Sequence, residues 1–390
     1  MTEKKPLYLN KAQLKAELDR CLNCKTQPCM HACPVNCSPQ EFINHAKEGD
    51  FDGAVKTILR NNPLGQTCGL ICPDKFCMKA CIRNRIDFAV NIPKVQATIL
   101  ENYRREKESF SHITPNGIKV AIIGAGPAGL AASSVLAKSG CKVVLFEGRH
   151  QIGGALNLIP DERLPHEVIE KDWSYIFNPD LVELKLNHKV TDVLALKSEF
   201  DWVIVASGEQ NLVNLGIAGE EYAVSYMEYL SNPQQYATTG KVAIIGGGNV
   251  AADCAFTAKA SGAAEVEMFV RRRISDMRIS KAEHLELVER EIDISAMTSL
   301  DKIEPDSDKF ALYVHKNRFH DGKLTALENS SLKLSGFSLV IKAIGSRADS
   351  KIEDERIIYA GDCKTGGSTI VEAISSGMAA AELIVERMNS

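Results

Sequence analysis

Apolar residues change their spacing partway along this 390-residue chain. Up to about residue 105 they recur three and four positions apart, as one face of a helix requires. Leu14, Leu18 and Leu22 share such a stripe over a helix predicted at 11–22. Ser38, Pro39 and Glu41 read as an N-cap, a first-turn proline and the reciprocal acid of a capping box. The helix they start carries Phe42 and Ile43 inward. Another runs through Val55, Ile58 and Leu59 and stops before Pro63. The polar stretch 101–117, ENYRREKESFSHITPNG, reads as a linker. Beyond it the apolar residues come in short runs, most of them closed by a glycine or an acid within three residues: Val120–Ile123, Val143–Phe146, Trp202–Val205, Val242–Ile245, Val266–Val270, Leu339–Ile344 and Ile357–Tyr359. Small-residue helical stretches follow several of them. Buried parallel strands alternating with helices give that pattern. The predicted fold is α/β, with two Rossmann-like dinucleotide-binding domains preceded by an all-helical domain.

One run is duplicated. Lys119-Val-Ala-Ile-Ile-Gly124 recurs letter for letter as Lys241-Val-Ala-Ile-Ile-Gly246, one nucleotide-binding domain further on. The first copy continues Ala125-Gly126-Pro127-Ala128-Gly129 into a helix. Gly124 allows the tight turn, Gly126 the close approach of a pyrophosphate, and Gly129 tight helix–strand packing. The pyrophosphate would rest on the N-terminus of the helix that begins at Pro127 and Ala128. The next strand ends at Glu147, about 20 residues on, where a ribose hydroxyl needs an acceptor.

The second copy reads Gly246-Gly247-Gly248-Asn249-Val250-Ala251. Its second strand ends in Arg271-Arg272-Arg273, with no acid. Guanidinium donors suit the 2′-phosphate of NADP, and a carboxylate would repel it. Ile357-Ile-Tyr-Ala-Gly361-Asp362, followed by Thr369-Ile-Val-Glu372, resembles the closing motif of two-dinucleotide-domain flavoproteins, whose aspartate binds the flavin ribityl chain. Asp201–Gly208 and Leu339–Gly345 resemble the domain crossings of the same proteins. The expected layout is a helical domain at 1–105, FAD domain at 118–235 and 339–390, and NADP domain inserted at 236–338.

Cysteine usage changes the picture of the helical part. Eight of the 12 cysteines form two arrays: Cys21, Cys24, Cys29 and Cys33, then Cys68, Cys72, Cys77 and Cys81. Cys33 and Cys72 are each followed by proline. Dense thiolates with a Cys-Pro step suit two [4Fe–4S] clusters. Residues 1–105 hold few large apolar side chains for their length, so metal is expected to be their structural glue. Zinc is the rival ligand, but only Cys21-x2-Cys24 has the short paired form of a four-cysteine zinc site. Cys37 has no array partner. Cys141, Cys254 and Cys363 stand apart, which argues against a disulfide reductase and for small buried residues. His31 and His45 read as solvated or helix-capping.

With 45% apolar and 25% charged residues and a net charge of −4, nothing suggests nucleic acid or an anionic membrane as partner. No apolar run approaches the roughly 18–20 residues that span a bilayer. The N-terminus lacks a secretory apolar stretch, so the expected compartment is the cytosol.

The most specific stretch is Asn62-Pro-Leu-Gly65-Gln-Thr-Cys68-Gly-Leu-Ile-Cys72-Pro, with Asn91-Ile-Pro-Lys-Val-Gln96 after it. Together with Cys21-x2-Cys24-x4-Cys29-x3-Cys33-Pro, it resembles the NADPH-oxidising small subunit of glutamate synthase. The resemblance is at least as close to the N-terminal half of dihydropyrimidine dehydrogenase and its bacterial small subunit. Ferredoxin:NADP transhydrogenases share the architecture. The resemblance implies crossed ligation. One cluster would take Cys21, Cys24, Cys29 and Cys81; the other Cys33, Cys72, Cys77 and Gln96, leaving Cys68 a neighbour. A plain count of eight cysteines would use Cys68 instead. Four residues separate Cys72 from Cys77, where many members have five.

The resemblance also places Arg271, Arg272 and Arg278 on the NADPH 2′-phosphate, and Arg163 against the flavin. Glu162 stands where members often have phenylalanine. The expected activity passes electrons from NADPH through FAD and two clusters. No glutamine, 2-oxoglutarate or pyrimidine domain and no FMN barrel is legible, so the expected acceptor is a second redox subunit.

Overall fold

The computed structural model describes residues 6–104, 113–209, 211–348 and 350–388. Most of the polar linker, 105–112, lies outside the described residues. The chain forms two compact units: one of residues up to Asn157 with Asp161–Asn211 and Arg347 onward, the other of Leu158–Pro160 and Leu212–Ser346.

The first unit begins with helices Lys11–Arg20, Pro39–Lys47, Phe51–Asn61, Gly65–Ile71 and Ile92–Tyr103. Their apolar stripes meet in a core that includes Phe42, Ile43, Ile58, Leu64, Ile99 and Leu100, all fully buried. This part therefore has an apolar core of its own, fuller than the small number of large apolar side chains leads us to expect. Two local readings are also corrected. The first helix stops at Arg20 because Cys21 turns extended, so Leu22 leaves the Leu14–Leu18 stripe and is exposed. Ser38 is the N-cap before Pro39, but no capping box closes. Glu41 instead pairs with Arg60 at 2.7 Å and accepts from Thr57, tying this helix to the next.

The same unit continues as a five-stranded parallel sheet, ordered Ile357–Tyr359, Trp202–Val205, Lys119–Ile123, Lys142–Phe146, Val182–Lys185. Helix Pro127–Lys138 follows the central strand, and the C-terminal helix Ile370–Met388 packs on it. Their approach is close enough that a Cβ on Gly377 would lie 2.0 Å from the Ala128 carbonyl oxygen.

In the second unit the repeated strand Lys241–Ile245 is again central, paired in parallel with Glu265–Val270 on one side and Leu332–Lys342 on the other. An antiparallel hairpin, Thr298–Asp306 and Lys309–His320, extends the sheet beyond Leu332–Lys342. This unit is wider than the expected 236–338. Leu339–Lys342 belongs to it because Val340 pairs with Ala243. The helix Tyr226–Ser231 belongs to it because Tyr226, Tyr229 and Leu230 join its core with Phe256 and Met268.

Candidate functional site

Both glycine turns have the geometry of a dinucleotide cradle. Gly124 has φ 102°, and a Cβ there would meet the Ala206 carbonyl oxygen at 2.5 Å. Gly246 repeats this with φ 149° and the Ala343 carbonyl oxygen at 2.2 Å. A Cβ on Gly129 would sit 1.9 Å from the Gly124 carbonyl, so helix and strand pack at a distance that excludes side chains. The middle glycines differ. Around the Cβ position of Gly126 the nearest atom is 3.9 Å away, and around that of Gly248 nothing lies within 4 Å. Each caps its helix with extended backbone, Pro127–Lys138 and Asn249–Ala260. Open space before unpaired helix N–H groups is what an approaching pyrophosphate needs. Asn249 and Val250 are exposed at the second of these openings.

Glu147 is buried at the end of its strand. One carboxylate oxygen accepts from the Ala125 N–H and the other from the Arg149 N–H, both at 2.9 Å. The acid is thereby fixed beside the glycine turn. Gly361 lies on the same side, its Cβ position 2.9 Å from Ala128 Cβ. Asp362 accepts from the N–H and hydroxyl of Ser368 at 3.2 and 2.6 Å, and burial raises its carboxyl above the usual range. Thr369 and Glu372 cap the C-terminal helix reciprocally: the Thr369 N–H donates to Glu372 at 2.9 Å, and the Glu372 N–H to the Thr369 hydroxyl at 3.4 Å. Arg163 is half-buried in the turn before helix His166–Ile176.

At the second turn the basic run divides. Arg273 pairs with Asp276 at 2.9 Å and lies 4.8 Å from the Phe319 ring centre. Arg271 and Arg272 are exposed, and neither guanidinium forms an ion pair among the described residues. Arg278 is held at the turn by its N–H, which donates to the Gly247 carbonyl at 3.1 Å.

The cysteines divide into two groups that cross the sequence arrays. Cys21, Cys24, Cys29 and Cys81 line one pocket, with Gln27, Ile43 and Val90. Burial, and then the neighbouring Cys21, push the Cys29 thiol up to about 11. Cys33, Cys68, Cys72 and Cys77 gather separately as mutual neighbours. Burial pushes the Cys77 thiol up to about 12. Gln96 lies buried against this second group. So does Cys37, which sequence reasoning left without a role; the signal available was its closeness to Cys33. Among the described residues no three His, Cys, Asp or Glu side chains converge as a single metal ion requires. A cluster asks for less convergence, one thiolate to each corner iron, and two separate soft-donor sets suit it.

The remaining cysteines are buried singly. Cys363 donates to the Val205 and Ala360 carbonyls at 3.0 Å, and Cys141 lies beside Asn116 and Met388. His45 bonds Asp50 at 2.7 Å, and His31 is exposed.

The second cysteine group is joined to the first nucleotide domain. Ser375 of the C-terminal helix donates to the Pro34 carbonyl at 2.9 Å, and Lys75 reaches Glu372 at 3.5 Å. Asp172 accepts from the N–H groups of Gln66 and Thr67 at 3.3 and 2.8 Å and pairs with Arg104. Nothing in the sequence marked Asp172.

Fold and sites together define an oxidoreductase with two dinucleotide domains and an iron–sulfur domain ahead of them. Residues 118–377 match the family described as pyridine nucleotide-disulphide oxidoreductase, and residues 2–108 that described as dihydropyrimidine dehydrogenase domain II, 4Fe-4S cluster. The chain belongs to the family of NAD(P)H-dependent flavin and iron–sulfur oxidoreductases that combines these two parts. The NAD-dependent dihydropyrimidine dehydrogenase subunit PreT of Escherichia coli (strain K12) is 30% identical, over 98% of this chain and 96% of the relative. The glutamate synthase [NADPH] small chain of the same organism is 32% identical, over 72% and 66%. Among solved structures, Mycobacterium tuberculosis FprA in complex with NADPH matches the fold with TM-score 0.61 and 15% identity, over 70% of this chain and 85% of that one. No helix among the described residues is long and apolar enough to cross a membrane.

Proposed function

We propose that the protein takes electrons from NADPH and passes them, through FAD and two [4Fe–4S] centres, to a second redox subunit. The bound groups supply the redox chemistry, a hydride from nicotinamide to flavin and single electrons to iron. The chain's own residues bind and position. Gly124, Gly126, Pro127, Ala128 and Gly129 hold the flavin pyrophosphate, Glu147 its ribose, and Gly361, Asp362 and Thr369 the ribityl end, with Arg163 against the ring. Gly246, Gly248, Asn249 and Val250 hold the nicotinamide pyrophosphate.

NADPH is favoured over NADH because Arg271 and Arg272 are exposed at the strand end with neither guanidinium in an ion pair among the described residues, and Arg278 is held at the glycine turn of the same unit. Each charged hydrogen bond to a 2′-phosphate contributes about 1.5–3 kcal/mol. PreT, by its name, uses NAD, so this preference belongs to the present chain's own residues.

Cys21, Cys24, Cys29 and Cys81 are the proposed ligands of one centre. Cys33, Cys72 and Cys77 are those of the other, whose fourth corner faces Gln96, the donor that the resemblance implies. The observation that carries the electron path is the Ser375–Pro34 hydrogen bond, which fastens the Cys33 loop to the helix closing the flavin site. At the first group, next to Cys81, Ile86 and Phe88 are 65% and 81% exposed, with Leu22 nearby. Arg20 holds the Phe88 carbonyl and so fixes that patch. Lys79 and Arg85, close to it in the chain, are exposed, as is Lys25 next to Cys24. An acceptor with an apolar centre and an acidic rim fits there. The compartment we propose is the reducing cytosol, where such thiols persist.

Anaerobic titration with NADPH, followed by flavin absorbance and by electron paramagnetic resonance, tests the path. The expected result is flavin bleaching together with reduced-cluster signals. Bleaching without any cluster signal, in protein that contains iron, would reject the path.

A further inference from the structure

In the second unit, strand Glu265–Val270 and its neighbour Asp293–Ala296 end together, with Val270 paired to Ala296. The basic run begins just beyond that pair, and the antiparallel hairpin holds it there. The Asn317 side-chain amide donates to the Arg271 carbonyl at 3.1 Å and to the Ser299 hydroxyl at 2.8 Å. The Met297 N–H donates to the Arg272 carbonyl at 3.0 Å, and the Asn317 N–H to the Met297 carbonyl at 2.6 Å. Further along the strand of Asn317, the Phe319 ring centre lies 4.8 Å from the Arg273 guanidinium. Each of the three arginines thus has a contact with the hairpin or with the residue leading into it.

The two carbonyl bonds depend on the sequence differently. The Met297 N–H belongs to the backbone, and any residue but proline supplies it. The bond to Arg271 needs a side chain. Asn317 is buried, and its amide donates to two separate acceptors, so its head is held in one position. Arg271 and Arg272 are exposed, with neither guanidinium in an ion pair among the described residues. Such long side chains are aimed chiefly through the backbone beneath them. Fixing a carbonyl fixes its peptide plane, and with it the direction in which the neighbouring side chains leave the chain. A phosphate rewards that, because charged hydrogen bonds from guanidinium are strongest in a defined fork geometry.

We propose that Asn317 is a positioning residue for the choice of nucleotide: its amide fixes the Arg271 carbonyl and so aims Arg271 and Arg272 at the adenosine 2′-phosphate of NADPH. This rests on the reading above, that these two arginines receive that phosphate. The hairpin is then the scaffold of nucleotide specificity, and Asn317 is the side chain through which it acts.

The test uses the full chain with FAD bound and an artificial dye as electron acceptor. Asn317→Leu keeps the volume and removes both donors. The Arg271 carbonyl belongs to an exposed residue and can turn to water, so the fold should survive. The NADPH-to-NADH ratio of kcat/KM should fall at least about threefold, through the KM for NADPH. A merely structural loss would weaken both nucleotides alike. That result would overturn the proposal, as would an unchanged ratio. In a protein already carrying Arg271→Ala and Arg272→Ala, Asn317→Leu should lower the ratio no further, because its effect runs through those side chains. A further drop would count against it. If the double arginine variant keeps the ratio of the unmodified protein, the 2′-phosphate reading itself fails, and this control tells the two failures apart. A second measurement needs no variant. At matched saturation, adenosine 2′,5′-bisphosphate should slow amide hydrogen exchange at Met297 and Asn317 more than adenosine 5′-monophosphate does. Equal exchange with the two ligands would overturn the proposal even if Asn317→Leu failed to fold.

Discussion

The carboxylate of Asp172 lies 2.8 Å from the backbone N–H of Thr67, 105 residues away in the chain. The bond opens the short helix Gly65–Ile71, which leads into Cys72. An acid on helix His166–Ile176 thus sets the position of the second cysteine group, and Arg104 balances its charge.

Asp172→Ala should be strongly destabilising. Asp172 is fully buried and Arg104 nearly so, and breaking a buried pair costs about 3–5 kcal/mol. A lower urea midpoint with unchanged slope is the expected readout, with loss of iron from the second centre before the first. Unchanged stability would show that the pair is dispensable.

Arg271→Ala with Arg272→Ala should raise the KM for NADPH at least about tenfold, since one lost charged hydrogen bond is worth about 1.5–3 kcal/mol. NADH kinetics should barely change. Steady-state assays with an artificial dye measure both. Equal kcat/KM for the two nucleotides in the unmodified protein would rule out the assignment. Arg273→Ala should leave the preference in place, because that side chain is occupied by Asp276 and Phe319.

Two centres require about eight iron and eight sulfide per chain. Cys21→Ala should remove about half of each, and Cys68→Ala neither. Iron and sulfide analysis with paramagnetic resonance decides it; loss of a centre in Cys68→Ala would restore the eight-cysteine reading.

Phe88→Asp alters an exposed side chain and should leave FAD content, iron content and dye reduction intact. Electron delivery to the partner subunit should fall at least about tenfold, the scale of a lost interface anchor. The partner would be found by co-purification from the native host. Full coupled activity in the variant would place the exit elsewhere.

Gly377→Ala should weaken FAD retention. Its Cβ would sit 2.0 Å from the Ala128 carbonyl oxygen, so the C-terminal helix must move away from the one that opens the flavin site. Apparent FAD affinity, followed by flavin fluorescence on dilution, measures this.

The parts legible in the sequence share one physical property: each is made within a few tens of residues. A glycine turn needs its own φ and the strand just before it. Gly124, Gly126, Gly129 and Glu147 span one strand–helix–strand unit, so the repeated Lys-Val-Ala-Ile-Ile-Gly run was enough to place both nucleotide turns and the α/β class. The cysteine arrays announced soft-metal chemistry for the same reason. What tertiary structure alone decided are contacts between segments far apart, which leave no period or spacing behind. Asp172 meets Thr67, Ser375 meets Pro34 across 341 residues, and Cys37 meets Gln96 across 59. The second unit's true extent depended on Leu339–Lys342 pairing with Lys241–Ile245, and an apolar run reads alike whichever sheet receives it. Arg273 looked the same as Arg271 and Arg272 until Asp276 and Phe319 were folded against it. Local chemistry determined which cofactors the chain can hold; the return of distant segments decided how their sites are joined and which side chains complete them.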